Sequence, residues 1–404
     1  MAFVPETAAA SIAQAWRDDL VPQLEEYIAI PALSPAFDPD WAAAGHIDAA
    51  VDQVVDWIRS RPVQGLTVEV QRLDGRTPLI VVEVESFGVS NSSTVLLYGH
   101  LDKQPEMTGW RAGLAPWTPV RQGDRLYGRG GADDGYAAFA SLTAIEAVQS
   151  SGGSHSRCML LIEASEESGS PDLPAHVTAL AERLGKVELV VCLDSGCADY
   201  ETLWLTTSLR GLVGLDVSVD VVTEGIHSGS ASGLVPSSFR LMRQLLDRIE
   251  DASTGRVLLE SANVEIPPHR VAEARATAEV LGDGERFPLV EGLRLMTDDP
   301  AQALLARTWR PALSVVGAEG LPPVGRAGNV LRPSTTLKLS LRLPPTADPA
   351  IVLEELTAAL TADPPSGAHV SVVGAEAAPG WDAPDLEPWL ARALDDAARS
   401  QFGA

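Results

Sequence analysis

Three apolar runs in the first half of the chain each lead into a side chain able to hold a metal ion. Val95 to Tyr98 leads to His100, Met159 to Ile162 leads to Glu166 and Glu167, and Val187 to Leu193 leads to Asp194. In open α/β sheets the site lies at the carboxyl ends of the strands, so groups emitted there by neighbouring strands meet in one crevice. In GHLD, Asp102 lies two residues beyond His100 and, on an extended chain, can accept the N–H of its second ring nitrogen, which prepares the histidine as a ligand. A buried histidine satisfied by a local aspartate is the plainer reading of that tetrapeptide. In GRGGADDG, the neighbours Asp133 and Asp134 repel each other unless a cation, several N–H groups or a helix N-terminus neutralises them. Ordinary capping would also explain them. A carboxylate has two oxygens and can bridge two ions. These glycines resemble a dinucleotide loop, but the spacing is not GxGxxG and acids stand where phosphate would lie. In EASEESGS, Glu166 and Glu167 diverge, so one can bind metal while the other handles protons, as metal-assisted amide hydrolysis requires. An adjacent Glu pair on its own is most often plain surface. Asp194 ends a strongly apolar run, where an unpaired charge is costly and a partner is expected.

Positioning these groups requires strands that end together. Apolar positions at helical spacing over residues 8 to 30 and 41 to 60 predict two opening helices. Short apolar runs at Leu66–Val70, Leu79–Val84, Val95–Tyr98, Met159–Ile162 and Val187–Leu193 alternate with helical stretches such as Phe139, Leu142, Ile145 and Val148. That alternation predicts an α/β layer with a mostly parallel, buried sheet, the catalytic domain. From Gly211 the pattern becomes a split β-α-β-β-α-β unit, a ferredoxin-like lid: strand Leu212–Val222, a helix through Phe239, Met242, Leu245 and Ile249, strands at Leu313–Gly317 and Thr336–Leu343, a helix, and strand Val370–Val373. Asp348 and Pro349 mark the second helix as N-cap and first helical residue. Residues 251–311 form a polar, Pro/Gly-punctuated insertion without a readable pattern, and an amphipathic helix starts around Leu386. The expected division is 1–210 and 381–404 for the catalytic domain and 211–380 for the lid.

Composition sets the outer limits. A chain of 404 residues holds two or three domains at ~150 residues each. No apolar run approaches the ~20 residues of a membrane helix. Thirty basic against 55 acidic residues, a formal charge of −25, would repel phosphate backbones and anionic membranes, so neither nucleic acid nor membrane is an expected partner. Residues 1 to 15 lack the basic start and apolar core of a signal peptide, which makes a cytoplasmic location the expectation. Cys158 and Cys192 sit in apolar β-like runs and read as buried thiols; Cys197 is the third cysteine.

The ordered set LLYGHLDKQP, GRGGADDG, EASEESGS and VVCLDSG, followed by GIHSGSASG, resembles the di-zinc metallopeptidases that include carnosinase, bacterial dipeptidases, carboxypeptidase G and the deacylases of acylated amino acids. The resemblance implies that His100 and Asp194 hold one metal, Asp133 bridges, Glu167 binds the other, Glu166 is the general base and Asp102 orients His100. It also implies two divalent metals, Zn²⁺ first with Mn²⁺ or Co²⁺ as alternatives, and a cis peptide between Asp133 and Asp134. His227 would stabilise the oxyanion in a partner subunit's site, giving a homodimer through the lid by pairing the strand Leu212–Val222 or the helix through Met242 with its twin. Arg342 would take a substrate carboxylate. The implied function is dipeptidase-type hydrolysis of a small peptide, to which Asp rather than Glu at Asp194 lends modest support. The alternatives are an N-acyl amino acid deacylase or carboxypeptidase, or an inactive binding or scaffold protein. Two departures stand out. Gly135 and Tyr136 replace the lysine and glycine that usually follow the paired acids, and the glycine-rich loop and last histidine ligand of relatives do not appear. With His369 as the only stand-in, a weak second metal position is expected.

Overall fold

The computed structural model describes residues 3–90, 93–282 and 287–403. The chain divides into two compact units, Met1–Gly196 and Cys197–Ala404. In the first, helices α1 (Pro5–Ala15), α2 (Val21–Ile28) and α3 (His46–Arg59) precede strands β1 (Leu66–Gln71), β2 (Leu79–Val84) and β3 (Ser93–His100). Helix α4 (Tyr136–Ser150), strand β4 (Arg157–Glu163), helix α5 (Leu173–Leu184) and strand β5 (Lys186–Cys192) follow. The sheet order is β1-β2-β4-β3-β5. Strand β3 pairs in parallel with β4 and with β5, whereas β2 runs against both β1 and β4. The sheet is therefore mixed: all strands except β2 point one way, but the β1–β2–β4 pairings are antiparallel. Between Arg157 and Glu163 at the ends of β4, and apart from Glu83 of β2, strands β2 and β4 are apolar because both faces are covered. Val51, Val54 and Ile58 of α3 with Phe139 and Leu142 of α4 pack on one face, and Leu180 and Leu184 of α5 on the other. Phe139 meets Trp57 edge-on at 4.9 Å between ring centres, and its truncation to alanine would cost about 3–5 kcal/mol. Cys158 is buried as expected, but Cys192 is exposed, as is Cys197. Cys192 lies on β5, an edge strand whose alternate residues face outward, so its apolar surroundings in sequence do not translate into burial.

The second unit holds β6 (Gly211–Asp220), α6 (Ser238–Leu246), α7 (Pro268–Leu281), α8 (Pro300–Thr308), β7 (Ala312–Glu319), β8 (Ser334–Leu343), α9 (Pro349–Thr361), β9 (His369–Ala378) and α10 (Pro388–Phe402). Its sheet, β7-β8-β6-β9, is antiparallel throughout and is covered by α6 and α9, the ferredoxin-like arrangement. Val213, Leu215, Val217 and Val219 alternate along β6 into a core with Leu241, Met242 and Leu245 of α6 and Val352, Leu356 and Leu360 of α9. Asp348 caps α9 by accepting the N–H groups of Ala350 and Ile351. One expectation fails here. β6 is hydrogen-bonded on both sides, by β8 and β9, so it has no free edge to pair with a twin; on α6, Met242 faces the sheet and is buried, while Phe239 is exposed, so only the strand pairing is lost. The insertion contains a short hairpin, Glu250–Asp251 with Arg256–Val257, and α7 and α8, which share a small core of Ala274, Leu305 and Trp309. Its residues 283–286, like residue 404 at the end of the expected last segment, lie outside the described residues. Among the described residues no helix is long and apolar enough to cross a membrane.

Candidate metal centre

The parallel block β4–β3–β5 ends where the sequence pattern requires. His100 closes β3 directly opposite Glu163, the last residue of β4, and Tyr98 faces Cys192, the last residue of β5. The EASEES turn and Asp194 therefore emerge on either side of His100. The His100 Nε2 atom lies 3.2 Å from Asp133 Oδ1, 3.6 Å from Asp194 Oδ2 and 3.8 Å from Glu166 Oε2. One ligand atom each from His100, Asp133 and Asp194 lies within 4.8 Å of the others. His100 Nδ1 sits 3.0 Å from the backbone carbonyl of Asp102, which can accept its proton and leave Nε2 as the free ligand atom.

Asp133 and Asp134 stand in a loop that only glycines can close. Gly130 has φ of 83°, and a Cβ there would press on the side chain of Lys103; a Cβ at Gly135 would collide with the ring of Tyr27. This accounts for the departure at position 135: no lysine fits there. The Asp133–Asp134 peptide is cis, as the resemblance implied. Lys103 is fully buried and donates to the carbonyls of Tyr27 at 2.6 Å and Ile30 at 2.7 Å, with its ammonium 3.8 Å from the centre of the Tyr27 ring. The Tyr27 hydroxyl donates to Leu101 O at 2.7 Å. Tyr27 and Lys103 thus support both the exit of β3 and the acidic loop. Neither belongs to the acidic and histidine motifs that mark the site in the sequence, and the one local signal is a lysine immediately after HLD.

Glu166 and Glu167 open a short 3₁₀ turn, Glu166–Ser168. The Asp102 carboxylate accepts the backbone N–H of Glu166 at 3.1 Å and of Glu167 at 3.0 Å. Its Oδ1 is also 3.5 Å from His100 Nδ1, so Asp102 meets the ring most closely through its carbonyl, while its carboxylate holds the turn and adds charge beside the ring. One oxygen of Glu167 accepts from the Gln104 amide, while the other, Oε1, is buried without a hydrogen-bond partner among the described residues. Asp134 is fully buried; its Oδ2 accepts the backbone N–H of His100 at 3.4 Å and its Oδ1 has no partner among the described residues.

Crowding governs the charges. Burial, then the neighbouring Asp194 and Glu167, pushes the Glu166 carboxyl up to about 7 despite the opposing pull of His100. Burial raises Asp134 to about 8 and lifts Asp194 and Glu167 above the ordinary carboxylate range. Asp133 is held low by its hydrogen bond with His100. Burial opposes a charge on His100, but the hydrogen bonds to Asp102 and Asp133 outweigh it and take the imidazole to about 11. One imidazole beside the carboxylates of Asp133, Asp194, Glu166 and Glu167, with a buried oxygen of Glu167 unpaired among the described residues, is a nitrogen and oxygen donor set suited to a divalent ion.

The remaining predicted residues belong to the second unit. His227 ends the short strand Ile226–His227, is exposed, and accepts the N–H of Gly229 at Nδ1, 3.1 Å away. Arg342 is exposed on β8, opposite Ala312 and Leu212. Burial, then the nearby guanidinium groups of Arg342 and Arg307, lowers the pKa of Arg210. His369 is exposed at the start of β9 and pairs with Asp220 at 3.2 Å.

The family model described as Peptidase family M20/M25/M40 matches residues 96–404. The chain belongs to this peptidase family. It is the family that the ordered motifs resemble, and the chain is that of a metal-dependent peptidase. It is 29% identical over 333 residues to the cysteinylglycine-S-conjugate dipeptidase of Corynebacterium striatum, covering 80% of this chain and 69% of that protein. It is 25% identical over 358 residues to the Beta-Ala-His dipeptidase of Mus musculus, covering 86% of this chain and 71% of the relative. Among solved structures, human carnosine dipeptidase 1 shares the fold with a TM-score of 0.75 at 23% identity, over 99% of this chain and 85% of that one. An M20 family metallo-carboxypeptidase, Sso-CP2 from Sulfolobus solfataricus, does so with 0.72 at 21%, over 96% and 84%.

Proposed function

We propose that this peptidase is a dipeptidase. The observation that carries the reading is Glu166: its carboxyl, with a pKa of about 7, stands 3.8 Å from the Nε2 of His100 and beside the His100, Asp133 and Asp194 group. Such a group can take a proton at neutral pH and return it, which is what a general base that later serves as acid must do. Dipeptidases among the curated relatives support the substrate class.

His100 and Asp194 would hold one ion, Asp133 would bridge, and Glu167 would bind the second, with its unpaired Oε1 as the donor. Two divalent ions, Zn²⁺ first, would polarise the scissile carbonyl and make water acidic at neutral pH. Glu166 accepts the proton of the attacking water and delivers it to the leaving amine. Asp102 keeps the His100 ring and the Glu166–Glu167 turn in register. Arg342 binds the substrate carboxylate as a two-pronged donor. His227 acts in a homodimer formed through the lid, on a site of the partner subunit. Residues 1–210 and 381–404 make up the catalytic domain and 211–380 the lid, and the protein works in the cytoplasm.

The test combines metal content with a panel of free-amino dipeptides and N-acyl amino acids, run on the parent protein and on Glu166→Gln. Hydrolysis of dipeptides alone, abolished in Glu166→Gln with metal retained, supports the reading. Cleavage confined to acylated substrates would assign a deacylase, and an inactive protein with intact folding and metal would assign a binding role.

A further inference from the structure

The Glu166 side chain makes no hydrogen bond among the described residues; its nearest charged partner is His100 at 3.8 Å. Its aim is therefore set by the backbone of the turn that carries it. That turn closes on itself through Ser168 N to Ser165 O at 3.2 Å, Gly169 N to Glu166 O at 2.6 Å and Ser170 N to Ser165 O at 3.0 Å. It is gripped from one side by the Asp102 carboxylate, and at Ser168 by the Ser34 hydroxyl at 2.5 Å and the Ala36 N–H at 2.9 Å.

The other grip is Glu163, the last residue of β4, which is 2% exposed. Its Oε2 accepts from the Ser165 hydroxyl at 3.2 Å, just before the turn. Its Oε1 accepts from the Ser170 hydroxyl at 2.9 Å, just after it, and from the Tyr98 hydroxyl at 2.5 Å on the neighbouring strand. Ser170 holds a φ of 53°, in the left-handed region uncommon for residues other than glycine, and strain of this kind persists only where surrounding bonds over-determine it. Among the described residues no cation accompanies this carboxylate in its bonds. A buried carboxylate without one is a poor source of stability, whereas one acceptor gathering both ends of a turn fixes that turn in space.

We propose that Glu163 is a positioning residue for Glu166: by tying Ser165 and Ser170 to the end of β4, it sets where the general base points. The inference rests on the reading of Glu166 as that base. At saturating metal, Glu163→Gln and the double change Ser165→Ala with Ser170→Ala should each lower kcat about tenfold, the lower range for partners that act through a ligand or base. KM and metal content should stay within about twofold of the parent, as loss of an interaction made only in the transition state requires. Combining all three changes should cost no more than Glu163→Gln alone, the non-additivity of one network. Tyr98→Phe removes a bond to the same carboxylate but not to the turn, and should lower Tm while leaving kcat intact. Hydrogen exchange at the Glu166 and Glu167 amides should speed up in the first two variants and not in Tyr98→Phe. Full kcat and unchanged exchange in Glu163→Gln, or equal effects of Tyr98→Phe and the serine pair, would overturn the proposal. Glu166→Gln in the same series separates the two readings: if it keeps parental kcat, the assignment of the base fails; if it is inactive and Glu163→Gln is not, only the positioning role fails.

Discussion

His100 Nδ1 lies 3.0 Å from the backbone carbonyl of Asp102 and 3.5 Å from its carboxylate. The main-chain contact survives any side-chain change at 102. The carboxylate, fully buried, lies farther from the ring, which it influences by its charge, and its hydrogen bonds go to the N–H groups of Glu166 and Glu167. Asp102→Asn should therefore leave metal binding at His100 nearly intact while lowering kcat about 10- to 100-fold. It should also cost about 1–3 kcal/mol, because an amide that offers one acceptor strands a buried N–H. Metal titration beside kcat checks this: a loss of affinity matching the loss of rate would mean that the carboxylate acts on the ring.

Asp133 should be the acid whose loss costs most metal. It is the nearest carboxylate to His100 Nε2, at 3.2 Å, and its side chain is more than half exposed, which leaves a second oxygen open to another ion. Asp133→Ala should retain the least metal of any single variant, and Glu167→Gln should lose one of two ions while keeping the one at His100 and Asp194. Elemental analysis after dialysis reads both. Full metal in Asp133→Ala would remove the bridging role.

What could be read from the sequence follows the range of the forces involved. Strand ends at His100, Glu163 and Cys192 were legible because apolar runs stop there, and the cap at Asp348 is a local signal. Direction within the sheet was not. Strands buried on both faces carry the same continuous apolar pattern whichever way they run, so nothing marks β2 as the reversed strand. The seat of the acidic loop was hidden for another reason: Lys103 and Tyr27 meet across 76 residues, and no periodicity reports such a pair. Helix α7 carries no apolar stripe of its own, since its fully buried residues are Arg270 and Ala274, and Leu305 and Trp309 that complete its core come from beyond the neighbouring segment.

His227 offers a test of the dimer. Its Nδ1 is turned to the Gly229 N–H, and the exposed ring makes no other hydrogen bond among the described residues. His227→Ala and Glu166→Gln proteins, each inactive alone, should recover activity on mixing. With free exchange half the dimers are mixed and one of their two sites is whole, so recovery should approach about a quarter of parental activity. Proven exchange without recovery would count against action across subunits.

Lys103 supplies a prediction that does not involve the metals. Burial lowers its pKa to about 7, against about 10.4 for a free lysine, while the carbonyls of Tyr27 and Ile30 and the Tyr27 ring keep its protons occupied. A base with a lower pKa in the folded chain binds fewer protons folded than unfolded between those two values, so stability rises with pH across that window. Below the folded pKa both states carry the charge and the cost of burying it is felt in full; above the unfolded pKa neither does. Lys103→Met removes this titration. The unfolding free energy of the parent minus that of the variant should therefore climb between the folded pKa of about 7 and the unfolded value of about 10, by at most about 1.4 kcal/mol per pH unit. Urea unfolding in the presence of a chelator measures it without a contribution from bound metal. A difference that stays flat would mean that the two carbonyls and the ring hold the ammonium as well as water does, and that burial leaves its basicity unchanged.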